Sequence, residues 1–255
     1  MGWQVAELTQ TSWVLAILAA IAVGMSKGGL TMIATMAVPL MALSMSPVVA
    51  AGIMLPIFVV SDIGGLIAFR RSFDRRVLWT LLPGAIIGIG LGWATAHLIN
   101  DVAVMGLVGV IGVSFALNAL FRSSGQKLRQ PSPAAGNFWG SVAGYTSFVS
   151  HSGAPPYQVY AQPLGMSSQL YAGTTTVFFA IVNAVKLIPY AALGQLSMAN
   201  LRVSLMLVPA AIFGVCLGLW LLRIMPQALF YKLITWALLL VSLRLIWSSG
   251  SALFG

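Results

Sequence analysis

The sequence predicts an all-α, polytopic membrane protein made of two inverted repeats. Each repeat holds about five apolar helices, the first two of them short and broken near the midplane. Three observations carry this reading. The 255 residues are 59% hydrophobic and only 7% charged, with a mean hydropathy of +0.96, whereas a soluble domain carries about 25% charged residues. The decamer at 83–92 (Pro83-Gly84-Ala85-Ile86-Ile87-Gly88-Ile89-Gly90-Leu91-Gly92) returns at 209–218 with six of ten positions identical, 126 residues later. The basic residues collect in alternate loops, led by four arginines within 70–76.

The chain opens with two apolar arms, 13–23 and 30–43, on either side of the polar break Gly24-Met25-Ser26-Lys27-Gly28-Gly29. A helix needs about 20 residues to cross a bilayer core of roughly 30 Å. Each arm is shorter, which places the break inside the membrane. Backbone at that depth leaves the helix only where protein or a wet cavity satisfies its polar groups. Glycines permit the turn, Lys27 adds a positive charge, and the next arm offers a helix N-terminus that attracts anions. The plainer alternative is a lysine that snorkels to the interface. The leading segment, 1–11, has no Lys or Arg and carries Glu7, which argues against a cleaved signal peptide.

Apolar runs at 48–69, 77–98 and 102–121 follow, completing a first repeat over 1–121. A polar stretch, 122–136, reads as a cytoplasmic linker. The second repeat, 137–255, begins with short arms at 137–149 and 156–164, broken at Ser150-His151-Ser152-Gly153-Ala154-Pro155, and continues with runs at 168–193, 201–222 and 228–247. Lys27-Gly28-Gly29 aligns with Ser152-Gly153-Ala154 near the decamer's offset, Ala51-Gly52 with Ala172-Gly173, and Asp62 with Asn183. The decamer glycines, like Gly136, Gly140 and Gly144, are read as packing residues, since small residues four apart let helices approach. Loops 70–76 and 122–136 are basic, and so expected inside; 99–101 and 194–200 lack Lys and Arg, and so are expected outside. That pattern requires each short-armed pair to return to the side it started from, and inverts the second repeat. Inverted repeats with interrupted helices at matching positions mark transporters, with the site at the repeat interface.

Ionisable side chains inside a bilayer are costly and default to functional candidates. Lys27 and His151, at the two breaks, and Lys186, deep in its run, are assigned to substrate binding. Ser26, Gly28, Gly29, Thr31, Ser150, Ser152 and Gly153 join them as hydrogen-bonding or backbone-exposing residues. Asp62 and His151 are assigned to proton coupling, because an imidazole titrates near neutral pH. For Asp62 and Lys186 the alternative is a structural ion pair; for His151 it is a neutral ring bonded to a neighbouring helix, and for the serines and threonines it is helix capping. His97 falls at the interface. No metal site and no cofactor is expected: two histidines, one cysteine (Cys216) and four acids are too few and too scattered. The same scarcity argues against an intramembrane enzyme. A purely structural subunit would not need two matched polar breaks. The absence of a Gly-x-x-x-x-Gly-Lys-Ser/Thr loop argues against ATP drive. The net charge of +9 lies mostly in loops, without a nucleic-acid surface.

The break at 24–29 followed by Pro39, the Ala51-Gly52 step and the Pro-Gly-Ala-Ile-Ile-Gly decamer resemble the sulfite exporter TauE/SafE family. So do Ser152-Gly153-Ala154-Pro155, Ala172-Gly173-Thr174 and the decamer at 209–218. The resemblance covers most of the chain outside 122–136. It implies a multi-pass protein of the cytoplasmic (inner) membrane that moves sulfite, an organosulfonate or a related carboxylate. Two departures stand out. Lys27 and His151 occupy turns where plainer residues are expected, and ten apolar segments, four of them short, compare with about eight spans in the family. The expected function is secondary transport of a small anion, with proton coupling as one option and an uncoupled anion channel as the alternative. The expected partners are the small anionic substrate and the lipid bilayer, with a homodimer as one assembly this architecture allows.

Overall fold

Short polar residues ahead of apolar runs start most of the helices. Ser46, Asp74, Ser132 and Ser167 each accept a hydrogen bond from a backbone N–H in the first turn of the helix that follows, which satisfies donors a helix leaves open. The structure, a computed structural model, describes residues 8–27, 30–98, 100–121, 130–224 and 227–254. Among these are ten α-helices and no strand: α1 (Gln10–Lys27), α2 (Ala37–Met41), α3 (Pro47–Phe69), α4 (Arg75–Thr95), α5 (Asp101–Phe121), α6 (Pro133–Ser150), α7 (Ala154–Ala161), α8 (Ser168–Ala192), α9 (Met198–Ile224) and α10 (Gln227–Phe254). A 3₁₀ helix, Thr31–Met36, leads into α2, and another, Gln162–Leu164, follows α7. Seven of the helices (α1, α3, α4, α5, α8, α9 and α10) are long and apolar enough to cross a membrane. The chain is a multi-pass membrane protein.

The first break starts later than expected. Helix α1 runs through Gly24 to Lys27, and its 18 residues measure about 27 Å at 1.5 Å per residue, so α1 is no short arm. Gly24 serves packing rather than a turn: a Cβ there would stand 1.9 Å from the Ala211 carbonyl oxygen of α9. Helix α6 starts at Pro133, inside the stretch read as linker, and also reaches 18 residues. The shortness lies in the returning arms, five residues in α2 and eight in α7.

Four helix pairings build the core: α4 with α6, α5 with α10, α1 with α9, and α3 with α8. Exchanging α1–α5 for α6–α10 maps this set onto itself. The glycines carry two of the pairings, as expected of them. On α4, Gly84 and Gly88 meet backbone of Asn137 and Ser141, while Gly140 and Gly144 of α6 meet Leu81 and Ala85. On α9, Gly214 and Gly218 meet Ile21 and Met25 of α1. This register corrects the earlier alignment of the breaks. Gly24 and Gly144 hold matching places against Ala211 and Ala85, so Lys27 corresponds to Ser147 rather than to Ser152, and His151 lies one turn beyond that position.

Helices α3 and α8 run antiparallel. Gly52 meets Gln195, Gly65 meets Thr176, and Gly173 meets Ser72, while Asp74 N–H donates to Thr174 Oγ1. Helices α5 and α10 do the same, Gly106 against Ser249 and Gly112 against Ser242. One end of the molecule therefore gathers Arg70, Arg71, Arg75, Arg76 and the start of α8. The other gathers Ser46, Gly52 and Gln195.

The glycine contacts give a direct test. Gly88→Ala places a methyl 2.0 Å from the Ser141 oxygen, and overpacking of this kind costs about 1–3 kcal/mol. Gly90 has open space on its Cβ side. Gly88→Ala should lower the thermal midpoint of the purified protein, and Gly90→Ala should leave it unchanged or raise it.

Candidate functional site

A cavity of about 650 Å³ is lined by residues of α1, α3, α6, α8 and the arms. That is within the range of pockets that hold small organic ligands. Its rim includes Phe69, Gln162, Met166 and Tyr171, at the end of the molecule that carries the arginines. Its depth holds Ser26, Lys27, Phe58, Asp62, Ser147, His151 and Asn183.

Asp62 stands at the centre of the charged group. Its Oδ1 accepts from Lys27 Nζ at 2.5 Å and its Oδ2 from Asn183 Nδ2 at 2.7 Å. Asp62 and Asn183 are the pair that the sequence alignment matched, and the bond joins α3 to α8. Asp62 is 15 residues from Pro47 and seven from Phe69, the ends of α3, or about 22 Å and about 10 Å along the helix. The Lys27 side chain is 25% exposed, into the cavity, and that of Asp62 only 4%. Lys27 Nζ also lies 5.8 Å from the centroid of the Phe58 ring, close enough for cation–π attraction. The ion pair thus forms between Asp62 and Lys27, not between Asp62 and Lys186.

Lys186 is fully buried and does not line the cavity. Its three donors face Ser147 O at 3.1 Å, Ser147 Oγ at 3.0 Å and His151 Nδ1 at 2.7 Å. Ser147 O, in the last turn of α6, also accepts the His151 backbone N–H at 3.0 Å, and a cation at a helix C-terminus is favourable. One turn along α8, Tyr190 donates to Phe148 O at 2.6 Å. Two side chains of α8 therefore cap α6.

His151 lines the cavity and ends α6 in the left-handed region, φ 55°. It is the one non-glycine residue with positive φ among the described residues, a conformation that costs an L-residue roughly 1–2 kcal/mol. Its ring is held on both sides. Nε2 lies 3.0 Å from the Ala51 carbonyl, an acceptor, so Nε2 carries hydrogen. That leaves Nδ1 as an acceptor for Lys186 Nζ, the hydrogen-bond pattern of an Nε2–H ring. Phe58 packs on it at 4.7 Å between centroids.

Of the other residues assigned to substrate binding, Ser26 lines the cavity and donates to Val23 O. Ser150, Ser152 and Gly153 are buried outside the cavity lining. The Ser150 hydroxyl donates to Thr146 O and that of Ser152 to Ser150 O. A Cβ on Gly153 would meet Ala143 O at 2.7 Å. Gly28, Gly29 and the Thr31 side chain lie outside the described residues, as do 122–129 of the linker. The N-terminus of α7 offers fewer donors than expected, since Pro155 and Pro156 have no N–H. Sequence reasoning did not assign Asn183, Phe58, Ser147 or Tyr190 to the site. Asn183 carried a signal, its alignment with Asp62, and Tyr190 a fainter one, its place four residues after Lys186. Among the described residues no three His, Cys, Asp or Glu side chains converge as metal ligands would.

The asymmetry of exposure sets the expected cost of breaking the pair. Removing one partner of a buried ion pair costs about 3–5 kcal/mol, and less when the survivor reaches a wet cavity. Lys27→Met strands the buried carboxylate and should lower the thermal midpoint more than Asp62→Asn, with the double variant recovering much of the loss. Equal effects would contradict this geometry.

A family model described as sulfite exporter TauE/SafE matches residues 15–245. No curated protein and no solved structure matches the chain.

Proposed function

The chain belongs to the sulfite exporter TauE/SafE family of membrane transporters, and on that premise we propose that it is a secondary transporter of a small anion such as sulfite, an organosulfonate or a related carboxylate, coupled to protons. The observation that carries the reading is the charge around the cavity. Among the described residues Lys27 is the one lysine on the cavity wall, and it is paired there with Asp62, whose second oxygen is held by Asn183. Lys27 is the lysine that reaches the cavity, so Lys27 binds the anion.

The coupling step follows from the ion pair. Asp62 holds Lys27 while the cavity is empty. A proton on Asp62 Oδ1 ends that attraction and frees the ammonium for the anion, while Asn183 keeps its bond to Oδ2. The loaded cavity then carries one more proton and one more anion than the empty one, with no net charge added by a monovalent substrate. The aromatic and thioether lining, Phe58, Phe69, Phe179 and Met166, suits the organic part of a sulfonate or carboxylate.

The antiparallel α3–α8 and α5–α10 pairs support the inverted repeat, because equivalent helices related by an axis in the membrane plane must run in opposite directions. The arginines at 70–76 then lie in the cytoplasm, and the cavity opens to that side of the cytoplasmic membrane.

Proteoliposome transport tests the reading. An imposed proton gradient should drive uphill accumulation of one of these anions, and unlabelled anion inside should accelerate counterflow. Lys27→Met should weaken binding by about tenfold or more, near 1.4 kcal/mol, and Lys27→Arg should retain part of it. Asp62→Asn should abolish uphill transport and preserve exchange. Flux that stays downhill without counterflow would make the protein a channel, and unchanged affinity in Lys27→Met would remove Lys27 from the site.

A further inference from the structure

Two hollows stand back to back in the molecule. The first is the cavity just described. The second is smaller, about 50 Å³, and its lining includes Val48, Ala51, Phe148, Tyr190 and Gln195. It lies at the end of the molecule opposite the arginines, where the start of α3 meets the segment after α8. Adjacent or bonded residues divide between the two. Ser147 faces the large cavity and Phe148 the small one; His151 faces the large cavity, and Ala51, whose carbonyl it binds, faces the small one.

The residues between them belong to two groups. On one side, α6 and α8 are locked together by Lys186 on Ser147 and His151 and by Tyr190 on Phe148 O, with the Phe148 and Tyr190 rings edge to face at 5.3 Å. On the other side is α3. Helix α3 packs on α8 to either side of this point, and the end of α6 is joined to it here by the His151 Nε2–H bond to Ala51 O and the His151–Phe58 ring contact. The ring making both contacts sits on the residue with strained backbone. A conformation of this kind persists only when its surroundings over-determine it, and such strain collects at switching sites.

We propose that His151 is the latch of the barrier on the face opposite the arginines. Releasing Ala51 O and Phe58 frees the end of α6 from α3 and joins the two hollows, opening the cavity to that face, while the packing of α3 on α8 stays in place. Lys186 and Tyr190 position the latch by keeping the end of α6 rigid. The role depends on the wall and its contacts and not on which anion is carried.

Sided cysteine labelling tests it without a transport assay. In a Cys216→Ala background, Ser61→Cys places a thiol on the large cavity, which Ser61 lines. In membrane vesicles of known orientation, an impermeant methanethiosulfonate reagent should reach that thiol from the arginine-bearing face and be excluded from the other. Adding His151→Gly removes the ring and suits positive φ. Labelling from the opposite face should rise roughly tenfold, the scale set by losing one hydrogen bond of about 1–1.5 kcal/mol, with labelling from the arginine face unchanged. His151→Asn also tolerates the left-handed region and is too short to hold both contacts; it serves as the second variant if the glycine fails to fold, with the same rise expected. No rise in the folded variant, or equal access from both faces before substitution, would overturn the proposal while leaving the anion reading untouched.

Discussion

A carboxylate at the middle of a membrane protein is tolerable only if its partners arrive from fixed positions, and the site depends on the two bonds made by Asp62. One partner, Lys27, comes from the end of α1; the other, Asn183, comes from the helix equivalent to its own. The second bond ties α3 to α8. The first places the only lysine that reaches the cavity, among the described residues, against the carboxylate. An amide opposite the carboxylate makes the centre asymmetric in charge within a framework that is symmetric in packing. Two carboxylates there would repel each other, and two amides would leave Lys27 without a counter-charge.

That arrangement requires the helices to approach closely, and the glycines meet the requirement. Without a hydrophobic driving force between helices in lipid, association rests on packing and hydrogen bonds. Gly84, Gly88, Gly140 and Gly144 bring the backbones of α4 and α6 together, and Gly24, Gly214 and Gly218 do so for α1 and α9. These contacts fix α1 and α6 as the rigid walls from which Lys27 and Ser147 project. Polar capping serves the same end inside the fold. Lys186 and Tyr190 satisfy the C-terminal carbonyls of α6, so the helix can stop in a buried place.

Much of this was legible in the residues. Hydrophobicity summed over the whole chain set the class, and glycines four apart announced close packing because that spacing has little other use in an apolar helix. The match of Asp62 with Asn183 needed only the duplication. The end of α1 was not legible, because a glycine that admits a neighbouring helix and a glycine that turns the chain look alike; only the Ala211 contact at Gly24 separates them. The equivalence drawn between Lys27 and His151 failed for a related reason, since the two helices stop at different points in one packing register. Tyr190 was missed because its partner is a backbone carbonyl, which leaves no mark on residue type. Lys186 read as a candidate for the substrate because a buried cation gives the same signal whether it meets a ligand or a helix terminus.

The central claim is that Lys27 exchanges Asp62 for the anion as Asp62 takes up a proton. Proton uptake by the purified protein on anion binding, followed with a pH indicator in weak buffer, measures this directly. The account predicts one proton taken up for each monovalent anion bound, tighter binding as pH falls, and no uptake at Asp62→Asn that still binds. Anion binding with no proton uptake, or uptake that survives the loss of the Asp62 carboxylate, would contradict it.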